Sequence, residues 1–323
     1  MEELLSSLRA IGEPTRLRLL ALCAAGDVTV TELTQVLGQS QPRVSRHLKL
    51  MCEANLLDRF REGAWVFYRL ARHGGGAATA RSVLNLLPKD DPVLAIDQSR
   101  LLGIKQARAA AAQAYFRDNA ERWDELRALH LDDSKVEAAL IDALGDTRIN
   151  ALLDIGTGTG RMLQVLGPRA SEGTGVDQSR EMLAMARSHL EADGLRHCTV
   201  RQGDMYRLPF SAPQFDLEII HQVLHYADNP GLVVAEAGRV LVPGGRLVII
   251  DLAPHQMEEL RNVHNHRRLG FSDEEVRGWC ESAGLLDLSV KRLPGGPLTV
   301  VIWIATRPAL AHSNNQSATG AMA

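Results

Sequence analysis

From residue 154 to 160 the chain reads Asp154-Ile155-Gly156-Thr157-Gly158-Thr159-Gly160, directly after the apolar run Ala151 to Leu153. Gly156 permits a tight turn, while Gly158 and Gly160 let backbone approach a ligand and sheet approach helix. A strand ending at Leu153-Asp154, this loop, and a helix containing Met162, Leu163 and Val165 form the first crossover of a parallel sheet. That is where such sheets hold nucleotide-like molecules. The G-x-G-x-G spacing departs from the dinucleotide fingerprint G-x-G-x-x-G, and no Lys-Ser/Thr pair follows as in a P-loop. Downstream, Asp177 ends the strand from Gly173, where a carboxylate can accept both hydroxyls of a ribose. Thr199 to Met205 supplies a third strand with another acidic end, Asp204.

The candidates for chemistry on a substrate are His221, which ends a fourth strand from Phe215, then His225 and Tyr226, and Asp251 at the end of the fifth strand, Leu247 to Asp251. His221 and His225 stand four apart and can share a helix face. One of them can act as base, or both can be pocket wall or helix cap. Arg261 to Ser272 is the densest histidine-arginine stretch. On a helix His264 and His266 point away from each other and have no cysteine beside them, so a metal site is not expected. A basic lid, an interdomain contact and a solvated helix all remain open for it. Ser272-Asp273-Glu274-Glu275 then caps another helix.

The elements ahead of this sheet are of a different kind. Leu4, Leu8 and Ile11 and then Leu17 to Leu22 have helical spacing, broken at Gly12-Glu13-Pro14. Thr31 to Leu37 is a short helix stopped by Gly38, and Ser40 caps a third run, Gln41 to Ala54, with Pro42 in its first turn. In that run Val44, Leu48 and Met51 face a core, leaving Gln41, Arg43, Ser45, Arg46 and Lys49 open toward base edges and phosphates. Leu56 to Arg61 and Ala64 to Leu70, joined across Glu62-Gly63, read as a two-stranded wing. Arg59, Arg61 and Arg69 would lie near a DNA backbone.

Residues 4–72, with Ser40 to Leu48 as the closest segment, resemble the ArsR family of winged-helix repressors. The resemblance implies a homodimer on a palindromic double-stranded DNA operator. Val28 to Leu33 stands where metal-sensing relatives carry cysteines and offers no thiolate, so no metal response is implied. Residues 145–306 resemble class I S-adenosylmethionine-dependent methyltransferases. By matching motif, the three glycines would approach the methionine moiety, and Asp177 would hold the ribose with Gln178 beside it. Asp204 with Met205 would bracket adenine, and His221 would stand where cofactor meets substrate. The final antiparallel pair, Leu285 to Leu293 and Leu298 to Ala305, is likewise implied. The whole resembles ArsR-type regulators fused to methyltransferase domains.

The expected fold is therefore α/β, a winged helix-turn-helix followed by a Rossmann-like, class I methyltransferase-like domain with a seven-stranded, mostly parallel sheet. Its expected parts are residues 1–73 for DNA, 74–144 as helical connector, dimerisation and cofactor-cap region, 145–307 for cofactor, and a disordered tail over 308–323. Gly74-Gly75-Gly76 reads as a hinge, Tyr115 as a possible cover for the cofactor, and Trp123 as helix packing. At 323 residues and 45% apolar content, two cores are expected. A net charge of -3 excludes a polycationic nucleic-acid coat but permits a local basic surface. Cys23, Cys52, Cys198 and Cys280 are far apart, which fits free thiols in a reducing compartment. With no spanning segment or leader pattern, a cytoplasmic, membrane-free location is expected. Methyl transfer from a sulfonium needs alignment more than a side-chain base. The leading expectation is a DNA-binding repressor with S-adenosylhomocysteine or S-adenosylmethionine as effector; the alternative is a methyltransferase acting on a small-molecule acceptor, and an inert scaffold comes third.

Overall fold

The computed structural model describes residues 1–62, 64–71, 74–119, 133–295 and 297–309. Trp123 and the tail from residue 310 onward lie outside the described residues. The N-terminal part runs α1 (Glu2–Ile11), α2 (Pro14–Ala24), β1 (Val28–Thr29), α3 (Val30–Leu37), α4 (Gln41–Glu53), β2 (Leu57–Glu62) and β3 (Trp65–Leu70). Its three strands pair in the order β1-β3-β2.

Helix α3 opens on a capping box between Thr29 and Glu32 and closes on Gly38 at φ +64°. Ser40 occupies the cap position of α4, but its side chain makes no cap bond. Val44, Leu48 and Met51 are fully buried, so the opposite face of α4 carries Gln41, Arg43, Arg46 and Lys49 into solvent.

The glycine triplet is not a hinge. It forms the first turn of α5 (Gly74–Leu86). A Cβ at Gly76 would lie 2.4 Å from the carbonyl oxygen of Asn55, and one at Gly75 would lie 2.8 Å from the Glu3 carboxylate. Gly75 and Gly76 thus serve close packing against the winged helix, whereas Gly74, at φ +89°, has open space around it. Helix α6 (Pro92–Asn119) joins the same core: Leu101 is buried there, and Arg18 donates two hydrogen bonds to the buried Asp97 carboxylate, at 2.6 and 2.8 Å. The expected connector is in this stretch part of the N-terminal unit.

After α7 (Asp133–Leu144) come β4 (Ile149–Ile155), α8 (Arg161–Leu166), β5 (Ala170–Asp177), α9 (Arg180–Ala192), β6 (Cys198–Gln202) and β7 (Phe215–His221). The chain continues through α10 (Pro230–Val240), β8 (Leu241–Leu252), α11 (Glu258–Asn262), α12 (Asp273–Ser282), β9 (Leu286–Gly295) and β10 (Leu298–Thr306). The seven strands lie in the order β6-β5-β4-β7-β8-β10-β9, parallel from β6 to β8, with β10 antiparallel to both its neighbours. This is the Rossmann-like sheet of class I methyltransferases. Strand order reverses beside β4, so the ligand crevice lies at the carboxyl ends of β4, β5 and β7.

Inside this sheet β7 carries Glu218, fully buried, with no hydrogen-bond partner among the described residues for either carboxyl oxygen. Burial pushes its pKa well above 4.5, and the charges of Arg307 and Arg239 offset only part of that. The folded pKa is raised, so the group's stabilising contribution is complete below about pH 4.5 and is lost as pH climbs toward the folded value. Glu218→Gln should therefore leave the melting temperature nearly unchanged at pH 4.5 and raise it progressively toward pH 8. The gain has a limit of about 1.4 kcal/mol per pH unit. An equal effect at both pH values would show that Glu218 ionises normally.

Candidate functional site

Strand β4 runs apolar and buried up to Ile155, and the glycine loop follows. Gly156 N–H and Thr157 N–H both donate to the Val176 carbonyl of β5, at 2.7 and 3.0 Å, which folds the loop over the strand ends. Gly156 has φ +72°, and a Cβ there would sit 2.5 Å from Val223, so the loop can pack against the chain leaving β7 only as glycine. Asp154 is buried and accepts from Thr157 Oγ1 at 2.6 Å. Gly160, at φ +86°, lies against Ala186 of α9 and outside the cavity lining. Of its two expected roles, the close approach to a helix is the one this geometry displays.

Asp177 is the best-organised acid. Gly158 N–H donates to one carboxylate oxygen at 2.9 Å, and Ser179 N–H donates to the other at 2.8 Å. Burial raises its pKa, partly offset by backbone N–H groups of Ser179, Gly158 and Gln178. Each oxygen keeps a further lone pair for a ligand hydroxyl. Asp204 behaves differently: its carboxylate accepts from Tyr206 N–H at 2.9 Å, is exposed, and does not line the cavity. The local turn claims it, so of the expected adenine bracket only Met205 lines the cavity, beside Gly203 and Tyr206.

A cavity of about 340 Å³ begins at Asp154, Gly156, Gly158, Asp177, Gln178 and Met205. It continues past His221 and Tyr226 to Trp65 of β3, Arg108 of α6 and the Asn262–Arg267 stretch. His221 and His225 do not share a helix, because Gln222 adopts φ +54° and Leu224–Tyr226 forms a single 3-10 turn. His221 faces the cavity, whereas His225 is buried behind it with Nδ1 at 2.8 Å from Asp251 Oδ1. The His225 ring stacks on His266 with centroids 3.9 Å apart, and His266 does line the cavity. His225 and Asp251 are thus placed to position neighbours rather than to touch a ligand. Tyr226 lines the cavity, and burial drives its pKa well upward, so it is a neutral hydroxyl. Tyr115 also stands outside the lining, its hydroxyl 2.6 Å from His264 Nδ1. It braces the stretch that bounds the cavity.

That stretch resolves the histidine-arginine segment as an interdomain contact. Arg267 and Arg268 are almost fully buried. Arg268 binds Glu62 of the wing, Asp27 at 3.1 Å and Glu275 at 3.0 Å, with its guanidinium 4.9 Å from the Phe60 ring and 5.1 Å from that of Phe271. Arg267 donates to Glu32 at 3.1 Å, and Arg261 reaches Glu62 at 3.3 Å. Burial alone would raise the Glu32 pKa, but Arg267 and Arg108 beside it hold it below the usual range. Ala64 N–H, next to the wing tip, donates to Glu258 at 2.7 Å. Hence the wing lays its Phe60-Trp65-Phe67 side on the methyltransferase-like half. Arg59 and Arg61, on the alternate positions, stay exposed, while Arg69 is drawn to Asp58 and Glu275 instead of a DNA backbone. The sequence carried two signals for this docking: the adjacent arginines Arg267 and Arg268, and four aromatics, Phe60, Trp65, Phe67 and Tyr68, in a short wing.

Among the described residues no cluster of three or more His, Cys, Asp or Glu side chains suited to a metal occurs, and no helix is long and apolar enough to cross a membrane. Residues 153–249 match the family described as methyltransferase domain, and residues 13–59 match that of bacterial regulatory proteins of the arsR family. The chain is 32% identical over 115 residues to the uncharacterized methyltransferase YcgJ of Bacillus subtilis, covering 36% of this chain and 46% of that protein. It is 35% identical over 162 residues to a demethylmenaquinone methyltransferase of Deinococcus radiodurans, covering 47% and 65%. With the ubiquinone/menaquinone biosynthesis C-methyltransferase UbiE of Desulfotalea psychrophila it shares 33% over 125 residues, covering 38% and 49%. The chain thus spans between about half and two thirds of the length of these relatives.

Proposed function

We propose that this chain, in which an ArsR-family helix-turn-helix domain is joined to a class I methyltransferase domain that binds S-adenosylmethionine or S-adenosylhomocysteine, transfers a methyl group to a small molecule. The observation that carries this reading is that one cavity is lined both by the Asp177 carboxylate, already oriented by Gly158 and Ser179, and by His221, Tyr226, His266 and Trp65, residues outside the glycine loop and the strand-end acids that the cofactor needs. The sulfonium methyl supplies the reactivity. This chain's residues bind, orient and exclude water: Asp177 fixes the ribose, Met205 bounds the adenine side, and the glycine loop admits the methionine moiety. His221, Tyr226 and His266 wall the space where an acceptor must align behind the methyl carbon. The Asp251–His225 pair holds the His266 ring from behind by stacking. Incubating the full chain with methyl-labelled S-adenosylmethionine and small-molecule cell extract should give a labelled acceptor. Failure to transfer label to any fraction, with cofactor demonstrably bound, would sink this reading.

A second reading, a DNA-binding regulator with the cofactor as effector, is favoured by the open recognition face of α4. Its requirement is that the cofactor bind DNA-competent and incompetent states unequally. Arg46 is exposed. On a duplex taken from the region upstream of its own gene, Arg46→Ala should weaken binding about tenfold and flatten the log–log salt dependence by about one unit. Unchanged affinity and slope would take Arg46 out of the interface. Adenosylhomocysteine added at fixed salt should shift the same isotherm if the effector reading holds.

A further inference from the structure

The cavity that starts at the glycine loop is not closed by the methyltransferase half alone. Trp65 belongs to the wing, and Arg108 and Ala111 belong to α6, yet all three line it. Trp65 is held there by specific contacts: the Arg261 guanidinium lies 4.3 Å from its ring centroid, and Arg261 also donates to the Glu62 carbonyl at 3.3 Å. Arg108 is fixed between Glu32 and Asp228. Tyr206, Tyr226, His221 and His266 line the same cavity. Its lining is thus rich in rings from both halves of the chain, and Asn262 and Asn265 provide hydrogen-bonding groups.

We propose that the winged-helix half supplies one wall of the acceptor chamber, with Trp65 as its aromatic face and Arg108 and Ala111 at its rim, and that the acceptor is a flat, hydroxylated aromatic molecule. This rests on the methyltransferase reading above. Flat rings gain stacking and edge contacts from the surrounding aromatic side chains without filling a large volume, and a ring hydroxyl supplies the nucleophile. In the step, the hydroxyl oxygen forms the new O–CH3 bond as the S–CH3 bond breaks. Its electron pair returns the sulfur to the neutral thioether, and the phenolic proton passes to water.

The test uses the full chain, loaded with S-adenosylhomocysteine and titrated calorimetrically with 2,3-dihydroxynaphthalene. The parent should bind the probe, and Trp65→Ala should weaken it roughly tenfold or more while leaving adenosylhomocysteine affinity within about twofold. Because loss of Trp65 can loosen the wing, Ala111→Phe provides an independent variant. Ala111 lines the cavity from α6 and takes no part in the arginine–carboxylate cradle of the wing, so a larger side chain there takes up cavity space. It too should cut probe binding about tenfold. A parent that does not bind the probe, or variants that bind it as well as the parent, would overturn the proposal. A parent that fails to bind adenosylhomocysteine would instead bring down the methyltransferase reading itself.

Discussion

Arg268→Ala should cost about 3–5 kcal/mol of folding stability, the scale for removing one partner of a buried ion cluster. The reasoning starts from what remains behind. Glu62, Asp27 and Glu275 converge on one guanidinium that is 2% exposed, and the rings of Phe60 and Phe271 cover it, so water cannot replace the lost cation easily. Three carboxylates would then face one another in a desolvated space. Arg261 still holds Glu62, and Arg69 still holds Glu275, which keeps the loss from being larger. The loss should be concentrated between the halves. Hydrogen exchange of residues 57–70 should accelerate, while exchange over β4 and β7 changes little. Arg292→Ala is the matched control, since its pair with Asp273 is partly exposed, with side chains 51% and 32% accessible. That pair should contribute under about 1 kcal/mol. If chemical denaturation gave the two variants similar shifts, the arginine cluster would not be what joins the domains.

The same cluster shows where sequence reasoning ended. The parallel sheet was legible because its central strands β4 and β7 are apolar runs that stop at a loop, and β7 occupies the expected Phe215–His221. The recognition helix was legible because Val44, Leu48 and Met51 recur at helical spacing, and all three are buried. Asp177 stood out as an acid at a strand end. Asp204 was expected at the end of a strand running to Met205, but β6 stops at Gln202 and Asp204 lies in the turn beyond it, where its carboxylate accepts from Tyr206 N–H; one-dimensional pattern carries no such competition. Gly74 to Gly76 looked like a linker because glycine serves equally for flexibility and for close approach; only the nearness of Asn55 and Glu3 decides between them. The wing's alternation identified a two-sided ribbon without saying what would cover its aromatic side. Its cover, Arg261 to Arg268, is some two hundred residues away, and pairing at that separation is set by how the two domains dock.

Asp177→Ala should abolish most of the affinity for S-adenosylhomocysteine. A carboxylate that accepts from two ribose hydroxyls makes two charge-assisted hydrogen bonds, each of about 1.5–3 kcal/mol, so a loss of roughly a hundredfold or more is expected in calorimetry. The variant also frees the Gly158 and Ser179 N–H groups, which now hold the carboxylate in place, so the loop loses its orientation together with its ligand contact. Asp204→Ala is the discriminating comparison. Its carboxylate is exposed and engaged with Tyr206 N–H, so adenosylhomocysteine affinity should change by no more than about twofold, within the range of an ordinary surface substitution. The parent's own pH dependence adds a third measurement. Burial raises the Asp177 pKa, so its ionised form is lost earlier on acidification than that of an exposed aspartate. Affinity should therefore fall as pH drops through that raised value, and the fall should be missing from Asp177→Ala. A variant that retained both affinity and the acid limb would place the ribose elsewhere, and the opposite ranking of the two aspartates would give Asp204 the role that its turn bond argues against.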